Sequence, residues 1–354
     1  MIKINVIKLY KKIIQNYWNN RSFVLFKKPY EKKIYFFSQD EKHKKENNFF
    51  LIVSFNQNSV IKIYTKTIYS VDIEHPKEMW NFIDPLRNWK SSLLIYSKKY
   101  KKLIEKAIET IKKNKDFEKV VLSRYMKIPF HNFYLKKTFQ KMIYSYPNAF
   151  ITLWYDFNHD FWLGVSPELL VKCYNKELKT VALAGTIWGN HKWTNKEIEE
   201  HNVVIKYLVN FFKKFSGNLY VEKTRILNIG HLHHLETPIR FSFLEKPNYF
   251  KILYDMSPTP SICGFPKKNS LDYIQKYEGY QRNFYTGYFG PVYDGGSKSK
   301  IELYLNLRCA QIKMNKKEII LYAGSGITKD SDANKEYAET ENKFKNILSQ
   351  FIFD

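Results

Sequence analysis

Apolar and polar positions along this chain alternate in short runs that predict a succession of strands, with helical spacing in only a few places. Short strands are expected over 33–37, 49–55 and 61–65. A helix fits 100–113, where Leu103, Ile104, Ala107, Ile108 and Ile111 recur at helical spacing. From Glu118 onward the segments EKVVLSR, ITLWYDF, FWLGVSPELLVKCY and KTVALAGT read as strands. The stretch 195–215 predicts a helix, opened by Thr194-x-x-Glu197 in the form of a capping box. A further strand is expected over 301–314, with Ile301, Leu303, Leu305 and Leu307 on one face and Tyr304, Asn306 and Arg308 on the other. Consecutive strands joined by short turns favour an α+β fold over repeated βαβ units.

The 354 residues are 44% hydrophobic, enough for a large core. No internal repeat or Pro/Gly/Ser linker divides them, so one domain spanning 1–354 is expected. The apolar runs are too short to span a bilayer, and the first residues lack the layout of a secretory leader. A cytoplasmic protein without membrane contact is the expectation. Cys173, Cys263 and Cys309 are far apart, which indicates neither a disulfide framework nor a zinc site.

A net charge of +24 raises the possibility of a polyanion partner. Against it, the lysines are scattered through every segment, Arg is scarce beside Lys, and no nucleic-acid-binding signature is present. The abundance of Lys, Asn, Ile, Phe and Tyr also fits AT-rich codon usage, and no nucleic-acid partner is expected.

Several polar residues sit where packing alone would ask for something else. Strand alternation puts Lys119, Val121 and Ser123 on one face and Val120, Leu122 and Arg124 on the other. Lys119 is either an exposed strand-start lysine or, if buried, a candidate general base. Pro167 interrupts an apolar stretch and re-aims Glu168, which is either an edge-strand glutamate or a buried carboxyl poised as a general acid. Glu197 and Glu200 share a helix face, as do Glu336 and Glu339. One pair reads as a cap and the other, with Lys343, as a surface ion pair. Brought together, the two helices would instead offer hard oxygen ligands to Mg²⁺. Arg308, flanked by Tyr304 and Asn306 and followed by Gly324-Ser325-Gly326, suits a carboxylate. His231, His233 and His234 lack the companions of a dedicated zinc site.

In this order, KVVLSR, GVSPELL, ALAGT, KEIEEH, HLET, PTPSICGFP, LRCA, AGSGI and ETENK resemble the chorismate-utilising enzymes, and among them the isochorismate synthases. The resemblance runs from about Lys119 to Leu348. It implies two large antiparallel sheets packed together with helices outside, a catalytic core over 101–354 and a divergent N-terminal part over 1–100. It also implies an isomerase that moves a hydroxyl from C4 to C2 of chorismate, with Lys119 as general base and Glu168 as general acid. Glu200 and Glu339 match ligands of Mg²⁺, with Glu197 and Glu336 behind them. Arg308, Gly324, Lys343, Gly185, Thr186 and His234 match the substrate contacts. Menaquinone precursor synthesis and a monomer without obligate protein partner are expected. Salicylate synthases keep the same lysine, whereas ammonia-adding relatives such as the anthranilate and aminodeoxychorismate synthase large subunits usually lack it. One departure is Ser257, where the family usually has His.

Overall fold

The computed structural model describes residues 1–39, 48–73, 93–188, 192–229, 232–293 and 299–353. Within them the chain begins with β1 (Ile2–Lys3), α1 (Val6–Trp18), β2 (Phe23–Lys27), β3 (Lys33–Ser38), β4 (Asn48–Val53), β5 (Val60–Tyr64) and β6 (Tyr69–Asp72). Next come α2 (Leu93–Lys113), β7 (Lys119–Pro129), α3 (Leu135–Ser145), β8 (Phe150–Asp156), β9 (Asp160–Ser166), β10 (Leu169–Tyr174), β11 (Glu177–Trp188) and α4 (Asn195–Phe212). The strands β12 (Gly217–Val221), β13 (Arg225–Ile229) and β14 (Leu232–Phe243) precede α5 (Tyr249–Met256), β15 (Gly264–Phe265) and α6 (Lys267–Tyr277). The chain closes with β16 (Tyr288–Tyr293), β17 (Lys300–Leu305), β18 (Cys309–Lys313), β19 (Glu318–Ile327) and α7 (Ala333–Leu348).

These strands form two sheets. One has ten strands in the order β1-β6-β3-β2-β8-β9-β18-β19-β7-β15; the other has nine, β12-β14-β11-β10-β17-β16-β4-β5 with β13 on β14. Strand pairs are antiparallel apart from β1 with β6. Aromatic side chains fill the space between the sheets, Phe26, Phe150, Trp154 and Trp162 from one side meeting Phe50, Phe289 and Tyr304 from the other. The outer face of the ten-stranded sheet is covered by α1, α3 and the end of α7, and that of the nine-stranded sheet by α4 and α5. This is the α+β sandwich expected from the sequence. The first seventy residues supply strands to both sheets.

Two boundaries move. The helix expected from residue 100 begins at Leu93, and the one expected to reach 215 stops at Phe212. The charged run at 41–46 and His231 lie outside the described residues.

The expected single strand over 301–314 requires correction. It is two strands in different sheets, β17 and β18, parted at Asn306–Arg308. The Asn306 amide donates to the Phe284 carbonyl, and Arg308 takes a left-handed φ of 40°, so the ladder cannot continue. The same change of sheet occurs between β9 and β10 at Pro167–Glu168. The two crossings touch: Leu305 N–H donates to the Glu168 carbonyl and Val165 N–H to that of Arg308, each at 3.1 Å. Glu168 and Arg308 are thus fixed beside each other where the chain twice passes between sheets.

Candidate active site

A cavity opens at these crossings. Its wall includes Glu168, Gly185, Thr186, Glu200, His234, Arg308, Gly324, Glu339 and Lys343, nine of the twelve residues picked from the sequence. Lys119 lies directly behind the wall, fully buried, with Nζ 2.9 Å from Glu200 Oε1. The exposed-lysine reading therefore fails. Its strand alternates as expected, Val121 facing the cavity while Val120 and Leu122 enter a core formed with α2 and α6. Gly326 makes the contact possible: a Cβ there would stand 2.2 Å from Glu200 Oε1 and 2.9 Å from Lys119 Cε.

Glu197 and Glu336 line the adjoining cavity, which shares Thr186 and Glu339 with the first. Glu197 serves as the cap, its carboxylate accepting from the Thr194 N–H and hydroxyl. His201 Nε2 lies 2.7 Å from Thr237 Oγ1 and ties α4 to β14, which holds Glu200 towards the cavity.

The bulge at Gly185 shapes the opposite wall. Ala184 pairs with Leu235 and Thr186 with His234, leaving Gly185 unpaired at φ 72°. Thr186 Oγ1 then lies 3.1 Å from His234 Nδ1, and Arg308 Nη2 lies 3.1 Å from His234 Nε2. A guanidinium can only donate, so Nε2 accepts and the proton belongs on Nδ1. Burial, then the charges of Arg308 and Lys343, push the imidazole pKa well below its usual range, consistent with this neutral form. Arg308, which lines the cavity, has its Nη1 buried without a partner among the described residues.

The two carboxyls at the ends of the cavity differ. Burial raises the Glu168 pKa to about 8, against the opposing effects of the Ser261 hydroxyl 2.7 Å from Oε1 and of the Lys119 and Arg308 charges. Burial would raise Glu200 as well, but Lys119 and Lys196 bring it down to about 2. Lys196 stands 3.4 Å from Glu200 and 3.1 Å from Glu336, while Lys343 Nζ is 2.6 Å from Glu339 and donates to the Gly324 carbonyl. Burial and the charges of Glu339 and Glu200 raise Glu336, with Lys196 opposing them.

Among the described residues no three His, Cys, Asp or Glu side chains converge as a ready metal cluster. Lys196 instead stands between the carboxylates of α4 and α7. The donors nevertheless fit a small hard dication: all are carboxylate oxygens, and Glu336 Oε2 is buried without a partner among the described residues.

Sequence reasoning gave no role to Lys196 or Ser261. The first carried a signal, standing one helical turn before Glu200, and the second lies inside PTPSICGFP. A buried ion pair, Glu278–Arg282 at 2.7 Å, was also missed; it holds the Ser123 N–H and hydroxyl and the carbonyls of Val121 and Ile262. Ser257 is buried but does not line the cavity, and its hydroxyl has no partner among the described residues.

The sequence profile described as chorismate binding enzyme matches residues 41–352. The chain belongs to that family. Among its relatives, the salicylate biosynthesis isochorismate synthase of Pseudomonas aeruginosa is 31% identical over 191 residues, covering 50% of this chain and 39% of that protein. The isochorismate synthase MenF of Escherichia coli is 30% identical over 193 residues, 51% of this chain and 43% of that one. The chain thus spans less than half the length of these chorismate-family relatives. In fold, it is similar to the solved structure of a 2,3-dihydroxybenzoate-specific isochorismate synthase, DhbC, from Bacillus anthracis. The TM-score is 0.77 at 21% identity, over 97% of this chain and 99% of that one. The solved structure of MenF, the menaquinone-specific isochorismate synthase of E. coli, also gives 0.77, at 18% identity over 93% of this chain and 88% of that one.

Proposed function

We propose that this chorismate-family chain is a Mg²⁺-dependent isochorismate synthase that adds water at C2 of chorismate and releases the C4 hydroxyl, supplying menaquinone synthesis. The observation that carries the proposal is Lys119, buried at the cavity wall, where family members that add ammonia usually have no lysine. A water nucleophile needs a base; ammonia does not.

Water loses its proton to Lys119 as its oxygen bonds C2. The ring double bond shifts, the C4–O bond breaks, and Glu168 gives its proton to the departing hydroxyl. One water enters and one leaves. A carboxyl with a pKa of about 8 holds that proton at neutral pH. Lys119 is paired with Glu200 as an ammonium in this structure, so it acts as the base only after it has released that proton to solvent, once Glu200 is engaged elsewhere. Glu200 and Glu339 would hold Mg²⁺, with Glu336 and Glu197 behind them; the ion would supply positive charge for the ring carboxylate. Arg308 Nη1, the Gly324 backbone and Lys343 would take the enolpyruvyl carboxylate, with Gly185 and Thr186 closing that side. Neutral His234, held by Arg308 and Thr186, would sit beside the ring without competing for its proton.

The test is product analysis of purified protein with chorismate and Mg²⁺. Isochorismate as the product supports the assignment. Salicylate with pyruvate, or an aminated product with ammonia, would overturn it, and no turnover with any nucleophile would leave a polyanion-binding protein on a chorismate fold.

A further inference from the structure

We propose that the outer face of α1, with the neighbouring start of α3, docks on an anionic lipid bilayer. Apolar residues of α1 fall into two stripes. Leu9 is buried, and Ile13 and Tyr17 pack beside it on the outer core of the ten-stranded sheet. Ile7, Tyr10, Ile14 and Trp18, spaced three, four and four apart, form a second stripe turned to solvent and exposed by 69%, 49%, 38% and 76%. Met1, Ile2 and Val6 are also exposed at the start of this helix. Single exposed apolar side chains are ordinary; an aligned row ending in a tryptophan is not.

Charge selects the partner. The sequence has no Asp or Glu before Glu31, and Lys8 and Lys11 are exposed on the helix beside the stripe. The second patch is α3, in a segment with no acidic residue from Lys119 to Tyr155. Exposed Lys136 at its start places Nζ 5.5 Å from the centre of the Tyr10 ring, which joins the two helices into one surface. An apolar row flanked by lysines from two segments that carry no acidic residue has the layout of a helix lying in the headgroup plane, and Asp72, beside the start of the chain, is paired with Lys3. Aliphatic side chains and Trp18 would enter the acyl boundary while the lysines meet lipid phosphates. A second copy is disfavoured, because a two-fold contact through this face would bring lysines against lysines. No helix among the described residues is long and apolar enough to cross a membrane; an in-plane helix has no such requirement. The expectation of no membrane contact rests on spanning segments and leader layout, neither of which bears on an in-plane helix.

The full chain is to be sedimented with vesicles of phosphatidylcholine containing increasing phosphatidylglycerol. Binding should rise with phosphatidylglycerol, be near absent on pure phosphatidylcholine and fall with added salt. The variant I7S/I14S/W18S should lower the partition coefficient about tenfold or more, with thermal midpoint and chorismate turnover unchanged. K8Q/K11Q/K136Q, which alters no apolar position, should lower it by a comparable factor and keeps the test decisive if the serine variant does not fold. Absence of binding at every lipid composition would overturn the proposal, as would unaltered binding by both variants. A dimer in light scattering that I7S/I14S/W18S dissolves would assign the face to a second copy and overturn it equally.

Discussion

The two ends of the cavity each carry a buried glutamate, and the contrast between them organises the site. Glu168 sits among apolar strand residues with one hydroxyl in contact and its cations further off, and its pKa rises to about 8. Glu200 is as deeply buried but has an ammonium at each oxygen, and it falls to about 2. Burial is common to both; contact with lysine separates them. One end keeps a proton to give, and the other keeps a negative charge for a cation. A fold can therefore place acid and ligand chemistry in one small cavity by choosing neighbours rather than depth.

Removing Lys119 attacks this contrast most severely. Lys119→Ala should reduce isochorismate formation by about 10²–10⁴-fold while leaving Mg²⁺-dependent chorismate binding, measured by calorimetry. Near-full activity would remove Lys119 from the base role. The same change takes one ammonium from Glu200, whose depressed pKa stabilises the fold above the unfolded value of 4.5 and ceases to do so as pH falls towards 2. The variant should accordingly be less stable than its parent above pH 4.5, the difference closing as pH falls towards 2, read from denaturation midpoints between pH 7 and 2.

Glu168→Gln should lower kcat by about 10²–10³-fold, because the amide cannot deliver a proton. In the unaltered chain kcat should fall as pH rises through about 8, where the acid ionises. Stability moves in the same direction. A pKa raised from 4.5 stabilises fully below 4.5 and is lost as pH rises through about 8, so the glutamine variant should melt higher than its parent at pH 8. A lower midpoint would place the Glu168 charge among stabilising contacts and contradict the contrast.

Lys196→Met leaves Glu200 and Glu336 without their shared cation, a loss of roughly 3–5 kcal/mol for a broken buried pair. Added Mg²⁺ should restore much of it, so the rise in thermal midpoint with Mg²⁺ should exceed that of the parent chain. An equal rise in both would mean that Lys196 and the metal do not share a place. The smallest effect is expected at Arg308→Lys, which keeps the charge and loses the forked geometry: KM should rise about tenfold with little change in kcat.

The sequence disclosed residue types better than it disclosed where the chain turns. Strand alternation put Lys119 and Val121 on one face, and the structure agrees, because a two-residue period fixes faces without tertiary knowledge. Pro167 marked a break in the strand, because it has no N–H to give the ladder, but not that the chain changes sheet there. The other, at Asn306–Arg308, was invisible: LNLRCA alternates like a strand, and only the Phe284 carbonyl waiting for Asn306, 22 residues away, ends it. The spacing of Lys196 one turn before Glu200 was legible, but its second partner, Glu336, was not, because only the packed fold brings α4 and α7 together. Ser257 stood out by departing from the family's histidine, yet the cavity is lined without it. Neither α1 nor its second stripe was expected from the weak patterning of the first residues, and an outward face cannot be told from an inward one until Leu9 is seen to point into the core.

The central claim is that a water molecule, deprotonated at the Lys119 end, becomes the new hydroxyl while the old one leaves at the Glu168 end. Turnover of chorismate in ¹⁸O-labelled water measures this directly. The account predicts isochorismate carrying one ¹⁸O at C2; product that forms with its original oxygen and no label would contradict it.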